Sequence, residues 1–220
     1  MKKSVLALLL ILGLSPIFAQ QDTCDCKKNK PLTFPMVLIG VGSINALDKT
    51  LDNAIQDYRQ STIPDFRTRI DDYLPYTPLL AAYAMNLSGN RGAHNLRGLS
   101  MYAGSSILMS TAITQGLKYA VGRERPDHSA TNSFPSGHSA TAFCFATVLH
   151  KEYGKKSVWY SVAAYSVATA TATLRVINNR HWFSDVCAGA GIGILSTELS
   201  YRLLDKYFKQ HKTQRLTPFY

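Results

Sequence analysis

From Tyr76 onward the chain alternates apolar blocks with short charged connections. The blocks run roughly over residues 76–90, 98–117, 136–150, 157–174 and 186–204. Each lies near the lower limit of the ~17–25 residues that a membrane-spanning helix requires. They are rich in Ala, Gly, Ser and Thr, small residues that let helices approach closely in a membrane. Alternation of period two is scarce, so the pattern predicts an all-α fold. The expected architecture is a helical bundle of about five membrane-spanning helices. Ala-rich helices also suit a soluble bundle, so the blocks speak more firmly for helix than for lipid.

Ahead of these blocks, "FPMVLIGVGSINAL" is apolar but short for a span, and "DKTLDNAIQDYRQ" within residues 48–72 reads as a polar amphipathic helix ended by a break at Pro64. The first twenty residues, "MKKSVLALLLILGLSPIFAQ", join a basic start, an apolar run and a small residue at Ala19. That is the build of a secretory signal peptide. The expected organisation is a signal peptide over 1–19, a periplasmic lead-in over 20–75, a helical core over 76–205 and a basic tail over 206–220. If all five blocks span, 118–135 and 175–185 emerge on one side, while "HKEYGKK" and "RLLDKYFKQHKTQR" emerge on the other. The positive-inside tendency makes the second side cytoplasmic and the first periplasmic. The predicted location is a bacterial inner membrane with the site facing the periplasm; the alternative is the soluble periplasm.

Composition adds one constraint. The 220 residues carry a net charge of +10 and are 46% hydrophobic, enough for one domain with a core. The charge favours anionic partners such as lipid head groups or phosphate esters. The basic tail lacks regularly interleaved aromatics, so no nucleic-acid site is expected. Cys24 and Cys26 stand too close for an unstrained bridge to each other. Cys144 and Cys187 read as small buried residues, with a bridge between them left open. None of the four fits a zinc pattern.

Three stretches carry candidate chemistry: "KYAVGRERP" with Lys118 and Arg125, "PSGH" with Ser136, Gly137 and His138, and "RVINNRHWFSD" with Arg175, His181 and Asp185. The helical layout gathers all three at one end of the bundle. Lys118, Arg125 and Arg175 offer cations and forked donors for phosphate oxygens. Ser136 and Gly137 open a helix, where backbone N–H groups face an anion. His181 and Asp185 are four apart and share a helix face. The carboxylate can hold one imidazole nitrogen and leave the other to attack phosphorus. His138 supplies a proton for the leaving oxygen. The set describes phosphoryl transfer without metal or cofactor, fixed cations neutralising the transferring group.

The spacing Lys-x6-Arg-Pro, Pro-Ser-Gly-His and Arg-x5-His-x3-Asp resembles the type-2 phosphatidic acid phosphatase superfamily, which also holds bacterial acid phosphatases and vanadium haloperoxidases. The resemblance covers roughly the last two-thirds of the chain. It implies a helical core and a phosphohistidine intermediate. It assigns His181 as nucleophile, Asp185 as its partner and His138 as general acid, with Lys118, Arg125, Ser136, Gly137 and Arg175 as phosphate binders. Leu174 stands where the family usually has Ser, which costs one secondary contact. A short chain with apolar blocks favours phosphatase over haloperoxidase. The expected activity is hydrolysis of a lipid phosphate or diphosphate of the lipid A, undecaprenyl diphosphate or phosphatidylglycerol phosphate class. The alternative is a soluble periplasmic acid phosphatase. Blander readings hold elsewhere: His94, His128, His150 and His211 as structural, Arg123 and Arg180 as solvated loop charges, and Gly189, Gly191 and Gly193 as helix packing. Trp182 reads equally as part of a substrate entrance or as an interfacial anchor.

Overall fold

The computed structural model describes residues 32–216, with side chains through residue 210. The expected signal peptide, Cys24, Cys26, most of the Lys-rich lead-in, His211 and the end of the basic tail lie outside the described side chains. The described chain is all-α, and each of the five apolar blocks forms one helix. The helices are α1 (Thr33–Asp48), α2 (Thr50–Thr62), α3 (Ile70–Tyr73), α4 (Thr77–Leu87), α5 (Leu96–Val121), α6 (Gly137–Tyr153), α7 (Val158–Ile177) and α8 (Phe183–Leu216). A single 3₁₀ turn, Leu74–Tyr76, joins α3 to α4.

Local chemistry sets the helix starts. Asn95 caps α5 by accepting from the Gly98 amide at 2.9 Å, and Ser157 caps α7 by accepting from the Trp159 amide at 3.3 Å. Ser136 caps α6. Gly122, at φ +60°, ends α5 in the left-handed conformation that glycine tolerates. That turn sends Arg123 toward Ser184 and Asp185 at the start of α8.

The middle of the bundle is the α6–α8 pair, flanked by α5, α7 and α1. Its close approach explains the small-residue stripe of α8. A Cβ on Gly193 would stand 2.2 Å from the Ala140 carbonyl oxygen, and one on Gly189 would stand 2.4 Å from that of Ser136. Gly191 faces the other way, where a Cβ would meet the Pro35 carbonyl of α1 at 2.7 Å. The three glycines therefore serve two helix interfaces, as the packing reading expected. The core they admit includes Phe143, Val148, Leu99, Val186 and Tyr153.

The expected membrane spans need correction. Among the described residues no helix is long and apolar enough to cross a membrane. α5, α7 and α8 have the length, at 26, 20 and 34 residues, but hydroxyl-bearing, glycine and, in α8, charged positions dilute their apolar character. Apolar side chains still face outward, with Val37, Ile44 and Leu47 of α1 and Leu80 and Leu87 of α4 exposed. The polar segment over 48–72 is stitched to the core: Arg59 Nε donates to the Ile177 carbonyl at 3.0 Å, and the Thr68 amide donates to Asn178 Oδ1 at 2.9 Å. Cys144 and Cys187 are both buried and free, so the bridge left open by the sequence does not form.

The packing predicts a contrast between two glycines. Gly193→Ala overpacks the α6–α8 contact and should lower stability by about 1–3 kcal/mol. Gly104→Ala meets nothing within 4 Å and lies in α5, so it should stabilise by about 0.5–1 kcal/mol. Thermal unfolding midpoints that move in opposite directions would bear this out.

Candidate active site

The C-terminal half of α5, the loop after it, the start of α6 and the turn that carries His181 ahead of α8 meet around one cavity of about 320 Å³. His138 and His181 both line it, with Lys118, Arg125, Asn132 and Gly137. Pro75 and Tyr76 of the 3₁₀ turn and Thr111, Thr114 and Gln115 of α5 complete much of the wall. Residues that lie 63 apart between Lys118 and His181 thus share one concave surface.

His181 sits in the corner between α7 and α8, with only 2% of its surface exposed. Its Nδ1 stands 3.5 Å from Ser133 Oγ and 3.7 Å from Asp185 Oδ2. The Ser133 hydroxyl donates to the same Asp185 oxygen. The Trp182 amide also donates to Asp185 Oδ2, at 2.9 Å, and Arg123 Nη1 donates to Oδ1 at 2.7 Å. This arrangement suits a proton on Nδ1, relayed through Ser133 toward the carboxylate, and leaves the Nε2 lone pair free. Burial pushes the His181 imidazole down to about 4, against the opposing pull of Asp185. The ring is therefore neutral at ordinary pH, as a nucleophile or base must be. Burial alone would raise the Asp185 carboxyl. His181, Arg123 and Ser133 together outweigh it and hold that carboxyl below its ordinary value.

Cations face this imidazole across the cavity. Burial, and then the Arg125 charge, push the Lys118 ammonium down to about 8. Its Nζ donates to the Asn132 carbonyl. Arg125 Nε donates to Asn132 Oδ1 at 3.1 Å, so a single loop residue holds both cations. Burial, with Arg180 and Arg175 nearby, lowers the Arg125 guanidinium from its ordinary value. An oxyanion entering the cavity would relieve this crowding of like charge.

Two of the expected phosphate binders are placed differently. The Ser136 amide is not open to an anion: it donates to the Asp185 carbonyl at 2.9 Å and ties the start of α6 to the start of α8. Ser136 itself is fully buried, and Gly137 rather than Ser136 meets the cavity. Arg175 is also buried and off the cavity wall. Its Nη1 donates to Asp71 at 2.7 Å and to Asp72 at 3.2 Å, while its buried Nε has no hydrogen-bond partner. His138 Nε2 lies 3.3 Å from the same Asp72 oxygen.

The sequence reading missed several supporting groups. Arg123, read as a solvated charge, is largely buried and bridges Asp52 and Asp185 at 2.7 Å each. Its guanidinium carbon lies 5.3 Å from the Trp182 ring centre. Trp182 Nε1 donates to the Glu124 carbonyl at 2.9 Å, so the indole anchors the arginine loop. Only the position of Arg123 in "GRERP", two before Arg125, could have hinted at its role. Ser133, Asp52 and Asp71 have no local signature, because their partners lie 48 to 132 positions away. The bland readings fit other residues: Arg180 pairs with Asp127 at 3.0 Å, His94 with Glu152 at 2.8 Å, His128 with Glu124 at 2.8 Å, and His150 Nδ1 meets Ser161 Oγ at 2.7 Å.

A helical core whose three polar corners converge on paired imidazoles and cations defines a class, and comparison with known proteins agrees. A model of the PAP2 superfamily matches residues 99–209, and the chain belongs to that superfamily. Lipid A 1-phosphatase of Porphyromonas gingivalis is 37% identical over 233 residues, covering 94% of this chain and 52% of that protein. Lipid A 1-phosphatase of Rhizobium etli is 31% identical over 110 residues, covering 43% of this chain and 46% of its own. The chain spans about half the length of the curated relatives it matches. Among solved structures, Aquifex aeolicus LpxE aligns with a TM-score of 0.51 at 21% identity, covering 66% of this chain and 93% of that one. The transmembrane PAP2-type phosphatidylglycerolphosphate phosphatase of Bacillus subtilis aligns with a TM-score of 0.54 at 21% identity, covering 88% and 97%. These two likenesses concern the fold.

The cavity predicts pH-dependent anion binding. Lys118 is charged below about 8 in the empty site, so orthovanadate affinity should fall as pH rises through about 8. Lys118→Ala should weaken vanadate binding about tenfold or more at neutral pH and erase that limb. Titration calorimetry of both proteins across pH reads both effects.

Proposed function

We propose that this protein is a phosphatase that removes phosphate from a phosphorylated membrane lipid through a phosphohistidine intermediate. The carrying observation is that both imidazoles, Lys118 and Arg125 line one cavity, with Asp185 behind His181. In the proposed reaction Lys118 and Arg125 draw in the phosphate oxygens, together with Gly137 at the start of α6. Arg175 lends its unpartnered Nε from behind. His181 Nε2 then attacks phosphorus in line, forming the N–P bond as the P–O bond to the leaving group breaks. His138 gives its proton to the departing oxygen. Water next attacks the phosphorus, His138 takes up its proton, and the N–P bond breaks to release phosphate. The fixed positive groups do the work of neutralising charge on the transferring group.

The lipid half of the reading rests on the lipid A 1-phosphatase relatives and on the outward-facing apolar side chains of α1 and α4. The 1-phosphate of lipid A is the first substrate to test, ahead of undecaprenyl diphosphate and phosphatidylglycerol phosphate. The signal-like start of the chain places the site on the periplasmic side in this proposal. The alternative reading of the sequence is a soluble periplasmic acid phosphatase. Carbonate washing of membranes separates the two, because a soluble enzyme is released.

Phosphate release from lipid A in the presence of EDTA should proceed undiminished. His181→Ala should abolish turnover while thermal unfolding stays cooperative; normal turnover in that variant defeats the mechanism. Because His181 attacks only when neutral, activity limited by its ionisation should decline as pH falls through about 4, well below the ordinary histidine range.

A further inference from the structure

The family match begins at Leu99, yet a carboxylate directly behind the site comes from far upstream. Asp52 of α2 is buried to 1% exposure. Its Oδ1 accepts from the Ser184 amide at 2.9 Å, and its Oδ2 accepts from the Ser184 hydroxyl at 2.5 Å. The same Oδ2 accepts from Arg123 Nη2 at 2.7 Å. The other arm of that guanidinium, Nη1, donates to Asp185 Oδ1 at 2.7 Å and to Ser184 Oγ at 2.6 Å. One arginine thus divides its two arms between an upstream carboxylate and the carboxylate that faces His181.

We propose that Asp52 is a positioning residue for the His181–Asp185 pair, acting through Arg123 and Ser184. This rests on the reading of His181 as nucleophile. The physical reason is twofold. The Ser184 amide belongs to the first turn of α8, where N–H groups lack helical partners, so Asp52 caps that helix from a separate segment. Asp185 is the next residue, and the cap fixes its backbone. The divided guanidinium fixes its carboxylate, because Arg123 can neither swing onto Asp185 alone nor leave it. With Asp185 held, its Oδ2 keeps Ser133 and the Nδ1 side of His181 in register, and the imidazole keeps the tautomer that leaves Nε2 for phosphorus. Docking of α1 against α8 maintains the arrangement: a Cβ on Gly42 would come within 2.7 Å of the Ser184 carbonyl.

The test uses the full chain in detergent and four forms: wild type, Asp52→Asn, Arg123→Gln and the double variant. Phosphate release from lipid A is measured alongside the ¹⁵N spectrum of the histidine rings, with His181 assigned by its loss in His181→Gln. Asp52→Asn should lower kcat about tenfold or more while KM stays within about twofold. The double variant should be no slower than Arg123→Gln by more than about twofold, since one chain carries both effects. The His181 signal should move from the Nδ1–H tautomer toward a mixture with Nε2–H. An unchanged kcat with an unchanged His181 signal overturns the proposal, as does a fully additive loss in the double variant. If Asp52→Asn does not fold, Arg123→Gln and Ser184→Ala, each removing one link, must show the same kcat loss and tautomer shift, and failure to do so overturns it. If the wild type releases no phosphate, the phosphatase reading fails, and the His181 signal alone then decides whether Asp52 governs the imidazole.

Discussion

A guanidinium held between two buried carboxylates organises this protein. Arg123 meets Asp52 on one side and Asp185 on the other, and both acids are almost fully out of water. Two carboxylates buried so close together repel each other and lack water to screen them. The shared cation makes both charges tolerable, and the hydrogen bonds from Ser184, Ser133 and Trp182 satisfy the remaining oxygens. Breaking one member of a buried pair typically costs about 3–5 kcal/mol, since the partner is left uncompensated. Three segments, from α2, the loop after α5 and the start of α8, therefore behave as one unit. Upon that unit rests the neutral imidazole of His181.

The helix packing is subordinate to the same end. Gly189 and Gly193 bring α8 against α6 so closely that the Ser136 amide reaches the Asp185 carbonyl. The starts of the two helices are locked together, and Gly137 and His138 are delivered to the cavity beside His181. Ser136 thus shapes the cavity through the frame rather than by offering it an N–H. Arg175 follows a similar logic. Asp71 and Asp72 hold one arm of its guanidinium, and Asn178 steadies Asp71 through a 2.8 Å hydrogen bond. Its Nε stays buried without a hydrogen-bond partner.

The part of the chain ahead of the family match is consequently not an appendage. The PAP2 superfamily model matches residues 99–209, but α2 and α3 supply a carboxylate to each of Arg123, Arg175 and His138. Their polar character follows from this duty. Asp52, Arg59 and Asp71 are the buried positions of α2 and α3, and all three are charged. The amphipathic pattern announces α2 but not its charged inward face, on which Asp52 pairs with Arg123 and Arg59 donates to the Ile177 carbonyl.

Local patterning was enough for the helices and the three motifs. Apolar blocks of fifteen to twenty residues without period-two alternation read as helices because strands are shorter, and each block became one. Imidazole, carboxylate and cation spacings named His181, Asp185, His138, Lys118 and Arg125, and the fold brings those five to one place because the motifs lie at helix ends on the same side. What the sequence could not decide were pairings across 48 to 132 positions: Ser133 with His181, Asp52 with Ser184, Asp71 with Asn178. Nor could it tell that the Ser136 amide is consumed by Asp185, or that Arg123 is buried rather than solvated. Helix formation depends on neighbours three and four residues away, which a sequence displays. The burial of a charge depends on which distant segment arrives to neutralise it, and only the folded chain determines that.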